Sequence, residues 1–330
     1  FLLIFFLGVL VVSGGWMWQA YNQMDSTMDA VFYDVETRDK REDDVSLSAA
    51  QPISFALLGI DSYGDELEEM GGRSDSIIVV TINPQTKQTT LISIPRDSYT
   101  EMVNYQTDSS DEYNDKITHA YAFGGTEMAL NSIQEFLDVP VDYYVEINMH
   151  GLKDLVDAIG GIEITSPLTF EYNGASFKAR DTATLHGWEA LAFARMRYDD
   201  PQGDTGRQQR QQLVIKAIVD KLLSTEGISN YEAILSSVEM SLRTNLSFEN
   251  LVDIQKYYSD SITSYEQSVI AGEDMYMEDI YYYYVRPEER LRMSNLLRDE
   301  LGLEQVSLDD LNLSDADLQF GYEDTGALEK

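Results

Sequence analysis

The chain has 330 residues and carries 58 acidic against 23 basic side chains, giving a formal net charge of -35 and an isoelectric point near 4.1. Nucleic-acid binding needs a cationic face that displaces counterions, so this balance excludes a nucleic-acid partner. With no cysteine in the sequence, disulfides, thiol nucleophiles and thiolate metal sites are excluded as well.

Phe1 to Trp18 contains no charged residue, close to the ~20 apolar residues that span a bilayer. Trp16 and Trp18 suit an interfacial aromatic belt, and Gln19 to Met24 lacks a small-residue cleavage site. Residues 1–24 therefore read as a transmembrane anchor truncated at its start, with a cleaved signal peptide as the competing reading. Residues 25–50 place Asp34, Glu36, Asp39, Glu42, Asp43 and Asp44 among few large apolar residues and read as a juxtamembrane linker. The globular part is expected over 51–303, followed by an acidic, loosely attached tail over 304–330.

Within that part, Ile53 to Ile60, Ile77 to Ile82 and Thr89 to Ile94 have strand length and are rich in Val, Ile, Leu and Thr. Asn83-Pro84-Gln85-Thr86-Lys87 reads as the turn joining the last two. A helix is predicted over Thr126 to Leu137, a strand over Val141 to Ile147, and a helix over Leu152 to Ile159 that Gly160-Gly161 ends before a strand at Ile162 to Thr165. Asn173-Gly174 is a hairpin signal, and helices follow at Gly187 to Ala194 and Gly206 to Leu223. This alternation argues an α/β fold, a layered α-β-α arrangement with a mixed central β-sheet. Further helices are expected around Tyr231 to Met240, Phe248 to Ile262 and Glu288 to Leu301, with a strand at Tyr281 to Val285 and no visible chemistry.

Asp61 ends the first strand, Asp75 precedes the second, and Pro95-Arg96-Asp97 follows the third. If the middle strand is antiparallel to both others, these residues gather at one edge of one sheet. Arg195, Arg197, Arg207 and Arg210 form a cationic cluster in an otherwise acidic chain, and a guanidinium fork pairs bidentately with phosphate oxygens. Two carboxylates beside several arginines suit a divalent cation that neutralises a pyrophosphate, with Mg²⁺ favoured and Mn²⁺ as its substitute. The alternatives are a solvated helix face for the arginines and a cap or turn role for each carboxylate. Arg195 and Arg197 point to nearly opposite sides of a helix, so a shared ligand requires the helix to end before Arg195. Arg207 and Gln211 share one helical face near a helix N-terminus, where the dipole favours an anion, and Arg210, off that face, reads as a salt-bridge residue.

Several segments, in order, resemble the LytR-CpsA-Psr family of mainly Gram-positive bacteria. They include Leu57-Leu58-Gly59-Ile60-Asp61, Gly72-Arg73-Ser74-Asp75-Ser76 and Ser93-Ile94-Pro95-Arg96-Asp97. Lys116-Ile117 with Ala120-Tyr121-Ala122-Phe123-Gly124-Gly125, Arg195-Met196-Arg197 and Gly206-Arg207-Gln208-Gln209-Arg210-Gln211 continue the match, which covers roughly 52 to 224. The resemblance implies an enzyme that moves an anionic glycopolymer, of teichoic-acid or capsular type, from a polyprenyl pyrophosphate carrier to peptidoglycan outside the membrane. A pyrophosphate hydrolase and a non-catalytic receptor for lipid-linked pyrophosphates stay open beside it. Carried over by residue, it implies Asp61 and Asp75 as metal ligands and Arg96, Arg195, Arg197 and Arg207 as a pyrophosphate clamp. Arg73, Lys116 and Gln211 join them as substrate contacts, and Asp97 and Asp204 join Arg96 as catalytic candidates that orient a group or accept a proton.

His119, His150 and His186 lie at wide spacings without a zinc-protease pattern and read as surface or core polar residues. No G-x-S-x-G elbow, Walker A loop or G-x-G-x-x-G is present. A lipid carrier needs an apolar groove, but a stripe such as Leu213, Ala217 and Ile218 is more often ordinary core, and sequence alone does not separate the two.

Overall fold

The β-branched runs of the first half pair as three adjacent strands, β1 (Ile53–Asp61), β2 (Arg73–Asn83) and β3 (Gln88–Ile94), with β2 antiparallel to both neighbours. Asn83 starts the turn before β3 by accepting the amides of Gln85 and Thr86 on Oδ1, at 2.9 and 3.2 Å. The computed structural model describes residues 28, 30–35, 41, 45–62, 67, 72–105, 113–222, 231–262 and 264–320. After Ile94 come β4 (Tyr99–Glu101) and β5 (Asn114–Lys116), which pair with each other, then the long helix α1 (Ile117–Leu137). β6 (Tyr143–Asn148) then runs parallel to β1.

α2 (Met149–Ala158) leads to β7 (Ile162–Thr165), which pairs with β10 (Thr182–Leu185) around the hairpin β8 (Phe170–Tyr172) and β9 (Ala175–Phe177). Asn173 and Gly174 both have positive φ, 48° and 85°, as a primed hairpin turn requires. Next come α3 (Gly187–Arg195), α4 (Asp204–Leu222) and α5 (Tyr231–Val238). β11 (Leu242–Thr244), α6 (Phe248–Tyr258) and β12 (Tyr265–Val269) follow. The hairpin β13 (Glu273–Met277) and β14 (Ile280–Tyr284), then α7 (Pro287–Glu300) and α8 (Asp315–Phe320), complete the described chain. β11 and β12 extend the central sheet at its two edges, so its order is β11-β6-β1-β2-β3-β12 with mixed parallel and antiparallel pairs.

Alternation along the strands sends Phe55, Ile78, Val80 and Leu91 to a core shared with α2 through α6. Ala56, Leu58, Ile77, Val79 and Ile92 face the opposite core, covered by α1 and α7. The expected mixed sheet between two helical layers is the observed architecture. α4 is tied to its face by buried Gln212, whose Nε2 donates to Ser93 Oγ and to the Ser268 carbonyl, both at 2.9 Å.

Two expectations need adjustment, and the anchor lies outside the described residues. Within 25–50, read as a linker, Met28, Val31 and Leu47 are buried in the core, and Arg41 pairs with part-buried Asp142 at 2.8 Å. The packed unit thus begins before Gln51, because a few apolar residues and one part-buried ion pair dock a segment whose acidic average hides them. Among the described residues no helix is long and apolar enough to cross a membrane, and Phe1 to Trp18 lies outside them. The tail is not loose as far as Phe320: Arg290, 5% exposed, donates to the Phe136 and Asn312 carbonyls at 3.0 and 2.7 Å and pairs with Asp317 at 3.0 Å.

Deleting residues 304–330 therefore strands a buried guanidinium. The deletion is expected to lower unfolding free energy by about 3–5 kcal/mol, the usual cost of breaking a buried ion pair. Urea unfolding followed by circular dichroism reads this directly; a loosely attached tail would leave the midpoint unchanged.

Candidate functional site

Because β2 is antiparallel to both neighbours, the C-terminal ends of β1 and β3 lie beside the start of β2, and Asp61, Asp75, Arg96 and Asp97 meet there as expected. Asp61 stands opposite Arg73 in the β1–β2 ladder, past a register shift at Gly59 and Ile60. These residues line a polar pocket of about 360 Å³ that Lys116, Thr118 and His119 close from the start of α1.

The charges are interlocked. Arg96 Nη1 lies 2.5 Å from Asp75 Oδ2, and Thr118 Oγ1 donates to the other Asp75 oxygen at 3.4 Å. Burial opposes the charge on Arg96, but Asp75, Asp97 and Asp204 outweigh it and raise its pKa. Lys116 Nζ sits 3.1 Å from Asp97 Oδ1 and within 6 Å of two ring centroids, Tyr281 at 5.7 Å and Tyr282 at 5.8 Å. The backbone amide of Tyr283 donates to the Asp97 carbonyl at 2.8 Å. The C-terminal third, which shows no chemistry in its sequence, thus braces the Arg96-Asp97 turn.

The second arginine group arrives from α3 and α4. α3 runs through Arg195 and breaks at Met196, whose φ of -58° and ψ of 134° are extended. The helix therefore holds Arg195 as its last residue instead of ending before it, and Arg197 leaves from the non-helical segment that follows. Arg195 Nη2 reaches Asp61 at 3.2 Å, while Arg197 Nε and Arg207 Nη2 share Asp204 Oδ1 at 3.3 and 2.9 Å. Burial, together with the like charges of Arg96 and Arg197, lowers the pKa of Arg207. Its buried Nε finds no hydrogen-bond partner among the described residues. An anionic ligand would relieve both conditions. Gln211, one turn beyond Arg207 on the same face, accepts from Ser76 Oγ at 3.0 Å. Asp97 and Asp204 both stand as partners of cations, which suits orienting them.

Arg210 forms a salt bridge, as read, but a buried one. It is 1% exposed, pairs with Asp200, and donates from Nε to the Phe193 carbonyl at 3.0 Å and from Nη2 to the Met196 carbonyl. It therefore pins the end of α3, and with it the exit of Arg195 and Arg197. Gly206 leaves room for this pair, since a Cβ there would meet the Asp200 carboxylate at 2.1 Å. Of the histidines, His150 and His186 are largely exposed beside Asp154 and Asp157, as read, but His119 lines the pocket with Nδ1 2.8 Å from Asp115 Oδ2. Spacing alone could not single it out; its neighbour Lys116 in a matching motif was the available signal.

Beside the pocket, on the α4 face of the sheet, lies an apolar cavity of about 310 Å³ whose wall includes Gly59, Ser76, Arg195 and Gln211. A second, of about 410 Å³, shares Leu57, Val145 and Ile215 with it. Ile218 lines the first cavity; Leu213 and Ala217 pack against the core of that face.

Arg210→Lys is expected to lower the thermal midpoint, because Lys keeps the charge but loses the fork that reaches Asp200 and two carbonyls at once. It should also weaken anion binding at the site without touching the anion, as calorimetric titration with inorganic pyrophosphate would show. An unchanged midpoint would contradict this pinning role.

The LytR_cpsA_psr family model matches residues 19–299. A Bacillus cereus protein named polyisoprenyl-teichoic acid–peptidoglycan teichoic acid transferase TagU is 40% identical over 299 residues, 89% of this chain and 95% of that protein. The crystal structure of Bacillus subtilis TagU aligns with a TM-score of 0.61 at 36% identity, covering 78% of this chain and 100% of that one. An Enterococcus faecalis structure, described as a transcriptional regulator, aligns with a TM-score of 0.69 at 40% identity, covering 79% and 92%. With a family model spanning most of its length and relatives at this identity, the chain belongs to the LytR_cpsA_psr family.

Proposed function

We propose that this protein transfers an anionic glycopolymer of teichoic-acid type from a polyprenyl pyrophosphate carrier to a hydroxyl of peptidoglycan, releasing polyprenyl phosphate. The observation that carries this reading is continuity: the arginine-lined polar pocket meets an apolar cavity through Arg195, which pairs with pocket residue Asp61 and also lines that cavity. A pyrophosphate joined to a long apolar chain has this two-part chemistry. Protein interiors rarely keep apolar spaces much larger than a water molecule, so the cavity suits an apolar ligand better than scaffold packing.

In this reading the isoprenoid lies on the α4 face, with Arg195 and Gln211 at the lipid-side phosphate. Arg96, Arg197 and Arg207 spread over the sugar-side phosphate, fixed in direction by Asp75 and Asp204. The acceptor hydroxyl attacks the sugar-side phosphorus in line. A new P–O bond forms while the hydroxyl proton passes to a pocket carboxylate, with Asp97 the candidate, and the bridging P–O bond breaks with its electron pair leaving on polyprenyl phosphate. Asp61 and Asp75 would hold Mg²⁺ or Mn²⁺. Among the described residues no cluster of three or more His, Asp or Glu side chains forms a protein-only cage. Two carboxylates completed by substrate phosphates is nevertheless a usual Mg²⁺ arrangement. When bound, the ion supplies neutralising charge to the pyrophosphate. The carrier's confinement to the bilayer places the domain at the outer face of the cell membrane, held by the Phe1 to Trp18 segment.

The test is the full chain in detergent with a short-chain polyprenyl pyrophosphate glycolipid, a peptidoglycan oligosaccharide and Mg²⁺. Polyprenyl phosphate should appear only with acceptor present, chelation should stop it, and Asp75→Ala should lower turnover by about 10²-fold or more. Arg207→Lys should weaken glycolipid binding about tenfold by losing the bidentate fork. Equal release without acceptor would make the protein a hydrolase, and binding without release a receptor.

Placement is tested by protease shaving of intact protoplasts. The domain should be cleaved from outside while peptides from residues 1–24 stay in the membrane fraction. Protection of the domain, or its release into the medium without those residues, would contradict the anchored arrangement.

A further inference from the structure

On the α1 side of the pocket, Tyr105, Tyr113 and Phe123 stay 38%, 37% and 41% exposed although they form one cluster. Tyr105 lies 4.8 Å from Tyr113 and 5.0 Å from Phe123 between ring centroids, at interplanar angles of 33° and 42°. The cluster reaches the pocket through His119, whose ring is 5.8 Å from that of Phe123 and which itself lines the pocket. Clustered exposed rings of this kind mark a binding surface more often than scaffold.

The shelf is fastened at each part. Met102 accepts the Tyr105 amide at 3.0 Å and donates its own amide to the Tyr113 carbonyl at 2.7 Å, while the Val103 amide donates to Ser132 Oγ at 3.1 Å. Asp115 accepts from the Lys116 amide at 2.7 Å and holds His119 at 2.8 Å. Phe123 is the last residue before α1 breaks at Gly124 and Gly125. Gly125, at φ 63° and ψ -152°, occupies a region essentially restricted to glycine, so the break that sets the first segment of α1 against the pocket is built into the backbone.

We propose that this shelf seats a sugar ring of the acceptor glycan, beside His119. The inference rests on the transferase reading above. The electron-rich face of an aromatic ring attracts the polarised C–H bonds of a pyranose, so several exposed rings give a glycan an apolar footing without demanding charge. The choice of acceptor over donor follows from the sheet. Ser76, Gln211 and the apolar cavity lie on the α4 face, whereas Asp75, Thr118 and His119 meet on the α1 face. In-line displacement needs the incoming hydroxyl opposite the departing lipid phosphate, and with the lipid on the α4 face the open approach is from α1. A donor polymer of repeated phosphates is also poorly matched to a shelf whose rings carry no cation, in a chain of net charge -35.

Phe123→Ala, Tyr105→Ala and Phe123→Trp in the full chain provide the test. Initial transfer rates would be measured against the concentration of an uncharged N-acetylhexosamine oligosaccharide acceptor, glycolipid binding by calorimetry, and oligosaccharide binding by saturation-transfer NMR without donor. Each alanine variant should raise the acceptor KM about fivefold to tenfold, with kcat and glycolipid affinity within about twofold of wild type, and Phe123→Trp should restore the KM. An unchanged acceptor KM would overturn the proposal while leaving the transferase reading intact. Parallel loss of glycolipid affinity would overturn it by placing the donor sugar on the shelf. Should the wild type transfer nothing, the NMR experiment decides alone. Saturation transfer to the oligosaccharide that is present in wild type and abolished in Phe123→Ala upholds a sugar shelf. A signal equal in both proteins, or absent from wild type as on a protein-docking face, rejects it.

Discussion

The antiparallel pairing of β2 with both β1 and β3 is the constraint on which the site depends. It brings two strand ends and one strand start to the same edge, and with them carboxylates and guanidinium groups that are far apart in sequence. A slip of one residue in either ladder would turn Asp75 to the opposite face of the sheet and fill the pocket with the wrong side chains. The apolar cores on both faces oppose such a slip, since it would send Ile77 and Val79 into the core packed around Ile78 and Val80, and the reverse.

Around that edge the protein solves an electrostatic problem. Several cations must be held together to bind an anion, and they repel one another in its absence. Asp75, Asp97, Asp204 and Asp61 each take one or two of them, and buried Arg210 fixes the backbone from which Arg195 and Arg197 depart. The cations are thereby oriented before a ligand arrives, which lowers the reorganisation needed for charge stabilisation in the transition state.

Much of this was legible in the residues. Strand ends could be read because Asp61, Asp75 and Arg96 interrupt apolar runs of strand length, and Asn173-Gly174 demands its turn. The arginines were only partly legible. Helical periodicity separates Arg210 from Arg207 but does not reveal that Arg210 is the more deeply buried of the two, because a guanidinium in a core is chosen by the carbonyls and carboxylate waiting there. β11 and β12 are short or half-exposed edge strands whose pairing depends on the sheet already being formed. His119 gains its place from the direct passage of β5 into α1, and the docking of Arg41 and Asp317 depends on partners more than 25 residues away, Asp142 at a separation of 101 and Arg290 at 27. None of these leaves a local period.

The central claim is that one ligand spans the pocket and the apolar cavity through Arg195. A crystal structure of the protein with a short-chain polyprenyl pyrophosphate and Mn²⁺ tests it most directly, the ion being located by its anomalous signal. The account predicts the pyrophosphate among Arg96, Arg195, Arg197 and Arg207, the ion at Asp61 and Asp75, and the chain on the α4 face beside Ile218. A pyrophosphate bound elsewhere, or a chain running over the α1 face, would contradict it.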